Sequence, residues 1–307
     1  MNYLTEDITN YLSVKDVMEE YERFHQDKEK EGMINPDRMH VEDEKRTALL
    51  MPAFYDNYYS VKIAGVSPDN SQWNKPMVNT VIVLYKRDTM EPVLTFDGNQ
   101  MTGIRTAAIG GLGMKYLSPL NATVLGLIGT GVQAWTHLEA AMAVRDITEV
   151  YVYSRTTEKL ELFQQQVQDK YPQLTVHTAS VDEVVEKADI LVTVTGSSSP
   201  VLPEISPAAW GAKHITAVGS FRPDMQEIPD SILQNVPHIY MDQPAALHES
   251  GDMIRAKELR PTDTFDTLDT IVQSGKQPTN NVSLFKCVGS SIYDLLATKK
   301  LYERLYE

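Results

Sequence analysis

The chain has 307 residues, room for roughly two domains of about 150 residues each, and its hydrophobic (42%) and charged (23%) fractions are ordinary for a globular protein. A formal net charge of −14 repels nucleic-acid backbones and anionic lipid, and no apolar run reaches the ~18 residues of a membrane span. One cysteine, Cys287, excludes an internal disulfide; with no basic segment leading an apolar core at the N-terminus, it points to the cytoplasm.

In chain order, residues 13–32 form a predicted amphipathic helix. Ser13 and Asp16 make a capping box, and Val14, Val17, Met18, Tyr21 and Phe24 fall near one face. Short β-like runs follow at 46–51, 58–65, 78–85 and 92–96, separated by Pro52, SPDNSQ and the DGNQ of 97–100. This third of the chain reads as a helix with an antiparallel, meandering sheet. Next comes QMTGIRTAAIGGLG (100–113), helical in character, with Thr102 as a candidate cap. It sets Arg105 among small and apolar residues. A buried guanidinium without a partner costs several kcal/mol, roughly, so an anion must stand close, either a local acid or a ligand.

From residue 120 strands and helices alternate. Strands are predicted at 122–129, 148–154, 174–180, 189–196, 214–220 and 237–242, and helices at 132–144, 156–171 and 181–188. Continuous apolar strands alternating with helices imply a parallel sheet covered on both faces. The last stretch, 289–307, is an amphipathic helix that carries Ile292, Leu295, Leu296, Leu301 and Leu305 near one stripe. The fold expected is α/β, a Rossmann-type domain at 119–288 beside an α+β domain built from 1–118 and 289–307.

GLIGTGVQAW (126–135) supplies G-x-G-x-x-A directly after a strand and before a helix. Gly129 allows the tight turn, Gly131 lets the backbone approach a pyrophosphate, and Ala134 lets helix pack on strand. Thr130, Val132 and Gln133 complete the candidate phosphate loop. At the tip of the second strand, Ser154, Arg155 and Thr156 stand where a carboxylate would select NAD; a hydroxyl and a guanidinium favour NADP(H), with NAD(H) the alternative. Thr195 and Val218, Gly219 and Ser220 end further strands at the carboxyl edge of the sheet and are expected near the nicotinamide.

Several segments together resemble the ornithine cyclodeaminase/mu-crystallin family: PDR at 36–38, LMP at 50–52, VKIAG at 61–65, DGNQMTGIRTAA at 97–108, GTGVQ at 129–133, VGSFRPDMQEI at 218–228, ESGD at 249–252 and FKCVGSSIYD at 285–294. The resemblance implies a homodimer in which the first domain holds substrate and pairs with its twin. It implies that Arg38, Lys62 and Arg105 hold the carboxylate of a small α-amino or α-imino acid, with Thr80 and Arg105 also on the cofactor side. Taken alone, Lys62 could face outward from its strand, and Arg38 could be an ordinary loop arginine.

Two positions depart from the cyclodeaminase pattern. Carboxylates that would handle ornithine's amines map onto Phe221 and Leu49, where a distal ammonium would lose hydration without compensation. Asp224 or Glu227 could substitute only through a shifted loop. The expected activity is therefore an NAD(P)-dependent oxidoreductase acting on the C–N bond of such acids: a cyclic ketimine reductase such as pyrroline-2-carboxylate reductase, or an alanine-dehydrogenase-like enzyme. Lys62 is its expected proton donor. Ornithine cyclodeaminase is one alternative, and a non-catalytic NADPH- or small-ligand-binding protein another. No metal is expected, because the sequence lacks HExxH and C-x-x-C and His137, His177, His214, His238 and His248 show no ligand spacing. Cys287 reads as packing.

Overall fold

Apolar–polar alternation in the first third of the chain becomes a six-stranded sheet, and the strand–helix alternation after residue 120 becomes an eight-stranded one. The computed structural model describes residues 2–206 and 211–306. Two units result, Met1–Arg105 with Gly289–Glu307, and Thr106–Val288.

The first unit opens with β1 (Asn2–Leu4) and α1 (Val14–Gln26). The Ser13–Asp16 capping box forms, and Val14, Val17, Met18, Tyr21 and Phe24 are buried. The helix stops at Gln26 rather than running to residue 32. The charge run beyond it has no apolar face to bury, and Lys30 and Gly32 adopt left-handed backbone at φ 44° and 67°. Next come β2 (Met39–Asp43), β3 (Arg46–Tyr55), β4 (Tyr58–Val66), β5 (Val78–Lys86) and β6 (Pro92–Asp97), an antiparallel meander with β1 added in parallel beyond β6. Then α2 (Gly98–Leu117) begins within DGNQ, which the sequence suggests is a loop. Thr102 is therefore inside the helix and not its cap; its hydroxyl donates to the Gly98 carbonyl.

Because side chains alternate across a strand, one face of this sheet carries Met51, Ala53, Ser60, Lys62, Ala64, Thr80, Ile82, Leu84, Leu94 and Phe96, all buried. The opposite face is apolar yet open. Met39, Leu50, Ile63 and Val81 stand directly opposite one another across four strands, with Met39, Ile63 and Val81 exposed. Beside them Phe54, Tyr59 and Tyr85 stack with ring centroids 4.3 and 5.0 Å apart.

The second unit takes the chain through β7 (Val124–Ile128), α3 (Val132–Val144), β8 (Glu149–Tyr153), α4 (Thr157–Lys170), β9 (Thr175–Thr178), α5 (Val181–Lys187) and β10 (Ile190–Thr193). It continues through β11 (His214–Ala217), α6 (Asp230–Asn235), β12 (His238–Met241), α7 (Ala246–Glu249), α8 (Gly251–Leu259), β13 (Asp266–Thr267), α9 (Leu268–Gln273) and β14 (Ser283–Lys286). The sheet is parallel throughout, in the order β13-β12-β14-β11-β10-β7-β8-β9. Strand order reverses between β7 and β10, the switch point at which such sheets open a crevice for a ligand. The division between units falls inside α2, after Arg105, rather than after residue 118. The second half of that helix packs into the second unit, Gly110 against the His137 ring and Gly113 against Phe285.

The chain then returns to the first unit as α10 (Ser291–Tyr306), which lays Ile292, Leu295 and Leu296 over the buried sheet face. Tyr21 of α1 anchors it by donating to the Tyr293 carbonyl at 2.7 Å. Among the described residues no helix is long and apolar enough to cross a membrane.

Candidate active site

Lys62 lies in the middle of β4 and points to the buried face, so the outward reading of this lysine is excluded. The Asp294 carboxylate of α10 meets it, Nζ to Oδ2 2.6 Å, and Asp294 Oδ1 lies 3.3 Å from Arg105 Nε. Arg105 thus has a protein anion, Asp294, which is the acid rather than the ligand of the two partners its sequence setting allows. Arg38 belongs to a loop that the fold holds firmly. Ile34 pairs with Phe54 through both backbone hydrogen bonds, Asn35 accepts from the Ile292 N–H at the start of α10, and Arg38 donates to the Gly289 carbonyl at 2.9 Å. Gly289 has φ 75°, and any side chain there would collide with the Arg105 guanidinium.

Burial strips water from the Lys62 ammonium and pushes its pKa down to about 8; the charges of Arg105 and Arg38 act in the same direction, and Asp294 opposes them. A lysine so placed gives up its proton far more readily than one in water. Leu49 and Thr80 share its sheet face, paired through Ala64, one register step from Lys62.

In the second unit the β7–α3 turn has two glycines with different reasons. Gly129 takes φ 119°, closed to other residues, beside the Val194 backbone. Gly131 has ordinary extended backbone, and a Cβ added there would meet nothing within 4 Å. The fold itself does not require glycine at 131, whereas close approach of a phosphate to the backbone does. No side chain caps α3, so the N–H groups of its first turn at Val132 and Gln133 point to the loop side, and Ala134 is buried where helix meets strand. Thr130 completes the turn. These features fit a dinucleotide pyrophosphate. Ser154, Arg155 and Thr156 follow β8, with Arg155 and Thr156 exposed. Strands β10 and β11 stop at Thr193 and Ala217, so Thr195 and Val218, Gly219 and Ser220 lie in the loops just beyond their carboxyl ends.

Comparison with known proteins gives these units a family. The ornithine cyclodeaminase/mu-crystallin family model matches residues 1–307. The chain belongs to this family. It is 36% identical over 274 residues, covering 86% of this chain and 83% of the relative, to a Delta(1)-pyrroline-2-carboxylate reductase of Bacillus cereus. The Thermococcus litoralis Delta(1)-pyrroline-2-carboxylate reductase, solved with NADH and L-proline, superposes with a TM-score of 0.90 at 29% identity, covering 99% of this chain and 97% of that one. An archaeal alanine dehydrogenase dimer with bound NAD gives 0.88 at 27% identity, covering 98% and 95%.

Within the ornithine cyclodeaminase/mu-crystallin family, this chain carries apolar groups at the two positions singled out from its sequence. Phe221 is 47% exposed after β11, and Leu49 is half-buried on the Lys62 face. No shifted loop offers a replacement carboxylate. Asp224 is exposed and paired with Arg222, while Glu227 is fully buried and held by four donors. Of two acids that matter here, Asp294 has no place in the sequence reading, and Glu227 enters it only as a replacement for a missing ornithine-binding carboxylate. Both stand in the quoted segments FKCVGSSIYD and VGSFRPDMQEI, but only three-dimensional placement shows what they touch. Among the described residues no group of three or more His, Cys, Asp or Glu is arranged to hold a metal.

Proposed function

We propose that this protein is an NAD(P)H-dependent reductase of small cyclic or open α-imino acids, with pyrroline-2-carboxylate as the first substrate to test. The observation that carries this reading is the pairing of Lys62 and Arg105 with Asp294, with the Arg38 charge felt at a buried Lys62 ammonium whose pKa is near 8. Arg38 and Arg105 hold the substrate carboxylate and so fix the imine's orientation. The nicotinamide dinucleotide, when bound at the Gly129–Gly131 turn, supplies the hydride. Lys62 Nζ holds the proton that the imine nitrogen needs to become the amine, and below pH 8 the lysine is in that donor form. The apolar Leu49 and Phe221 leave an ornithine side-chain ammonium without a compensating charge, which disfavours cyclodeamination.

The absence of a carboxylate at 154–156 favours NADP(H), with Arg155 pairing the 2′-phosphate. The open apolar sheet face of the first unit, with Met39, Leu50, Ile63 and Val81 in one row, fits pairing with a second copy, and the similar archaeal alanine dehydrogenase is a dimer.

The test is NADPH and NADH oxidation with pyrroline-2-carboxylate, piperideine-2-carboxylate, and pyruvate plus amines. Stoichiometric NADPH consumption with a cyclic imine supports the reading. Ammonia release from ornithine at catalytic cofactor would replace it with cyclodeamination, and NADPH binding without any turnover would replace it with a carrier role. Arg155→Asp is expected to cut kcat/KM for NADPH by at least about tenfold while sparing NADH, as loss of a charge-assisted bond implies.

A further inference from the structure

Beyond the turn that would take the pyrophosphate, the second unit contains a buried charge network for which the chemistry above has no use. Glu227, in the segment between β11 and α6, is fully buried, as are Asp252 of α8 and Lys286 at the end of β14. Each Glu227 oxygen accepts two hydrogen bonds. Oε1 takes the Thr195 N–H at 2.6 Å and the Thr195 hydroxyl at 2.7 Å; Oε2 takes the Thr193 hydroxyl and the Gly219 N–H, both at 2.8 Å.

The four donors satisfy both oxygens of the ionised carboxylate; two of them are backbone N–H groups, which can only donate, and two are threonine hydroxyls. Burial raises the pKa of this carboxyl and works against that ionised form, and the nearby Lys286 offsets it. Lys286 lies 3.4 Å from Asp252 Oδ2, and Asp252 Oδ1 in turn accepts the backbone N–H groups of Glu227 and Ile228 at 2.9 and 3.1 Å. Lys286 and Asp252 thus fix the Glu227 backbone, and the Glu227 side chain ties together the carboxyl ends of β10 and β11. An apolar residue would fill this space without the desolvation that three buried charges bring. What the charges add is a single relative placement of Thr195 and Gly219.

We propose that Glu227 is a positioning residue for the nicotinamide half of the dinucleotide: it sets the spacing of the two strand ends, at Thr195 and at Gly219–Ser220, between which that half is held. The proposal rests on the reading that the second unit binds a nicotinamide dinucleotide. Glu227 itself, with every acceptor site occupied by protein donors and no exposed surface, acts through those loops.

The test compares ligands that differ only in the nicotinamide moiety: NADH against ADP-ribose, and NADPH against 2′-phospho-ADP-ribose, by calorimetric titration of the full chain. In Glu227→Gln the amide nitrogen would face a backbone N–H whichever way it turns, that of Thr195 or that of Gly219, so the clamp breaks on one side. Affinity for the preferred reduced dinucleotide is expected to fall about tenfold, as for loss of a hydrogen bond to a charged group, while affinity for its truncated analogue stays unchanged. If Glu227→Gln does not fold, Thr193→Val decides. It removes one buried donor by a near-isosteric change at a position no ligand reaches, and should open a gap of about threefold between the paired ligands. Equal changes for both ligands of a pair, or no change in a folded variant, would overturn the proposal and reduce Glu227 to a packing role. Failure of the unaltered protein to bind any of the four would instead sink the dinucleotide reading itself.

Discussion

At the scale of single residues, the proposed chemistry depends on Lys62. Its sequence surroundings, VKIAG, permit either face, and only the register that places Met51 and Ile82 beside it puts the ammonium inside. Replacing it with Met keeps the volume and removes the proton. We expect kcat for imine reduction to fall at least about a hundredfold, the lower range for a general acid, with NAD(P)H affinity retained; steady-state kinetics with a separate binding titration checks both. The pH profile has a definite sign. A donor with a pKa near 8 is active when protonated, so reductive kcat should hold steady at neutral pH and fall as pH rises through about 8. Were that limb to persist in Lys62→Met, another group would be the donor. Arg105 was legible from sequence as a buried cation in need of an anion. Asp294 was not legible as that anion, because 189 positions separate the two and no local pattern marks an acid on an amphipathic helix as inward-facing.

At the scale of elements, α10 closes the site from the far end of the chain. Asp294→Asn would leave two buried cations facing each other without their shared carboxylate. Removing one partner of a buried pair typically costs about 3 kcal/mol or more, so a clear drop in melting temperature is expected. Without the anion the Lys62 pKa moves lower still, and the alkaline limb should shift below pH 8. The sheet gives a second prediction. Ile63→Lys together with Val81→Lys places two charges side by side in the exposed apolar row. If the row pairs two copies, the unaltered protein should sediment as a dimer and the variant as a monomer; a dimeric variant would put the contact elsewhere. Strands β3 to β8 and helices α1, α3 and α4 were readable because their apolar periods are long and bounded by turn residues. The start of α2 was hidden because Asp97, Gly98 and Asn99 read as a turn, although Asp97 in fact accepts the Asn99 N–H and so opens the helix. Strand β2 was missed for another reason: every residue in it is exposed, so it has no buried face to imprint a pattern.

At the scale of the whole molecule, stability toward acid has a cause in the second unit. Burial holds His137 neutral, pushing its pKa down to about 4, and His214, between Ser283 and Thr216, down to about 3. Both values lie below that of an unfolded histidine, so between pH 6.5 and 4 the unfolded chain binds more protons. The stability these residues contribute is complete above pH 6.5 and is lost as pH falls through that window, by up to a few kcal/mol, roughly, for each. Calorimetry from pH 7.5 to 4.5 should show the loss, with a shallower slope in His137→Gln. The sequence by itself determined the α/β class, the glycine turn and the need of Arg105 for an anion, because periodicity, turn chemistry and local motif are properties of neighbours along the chain. The tertiary structure alone decided which way Lys62 points, that Asp294 sits between two cations, and that Glu227 is tied to the ends of β10 and β11. Each of those depends on packing between segments far apart in the chain, and a residue's sequence neighbours carry no record of what faces it across a fold.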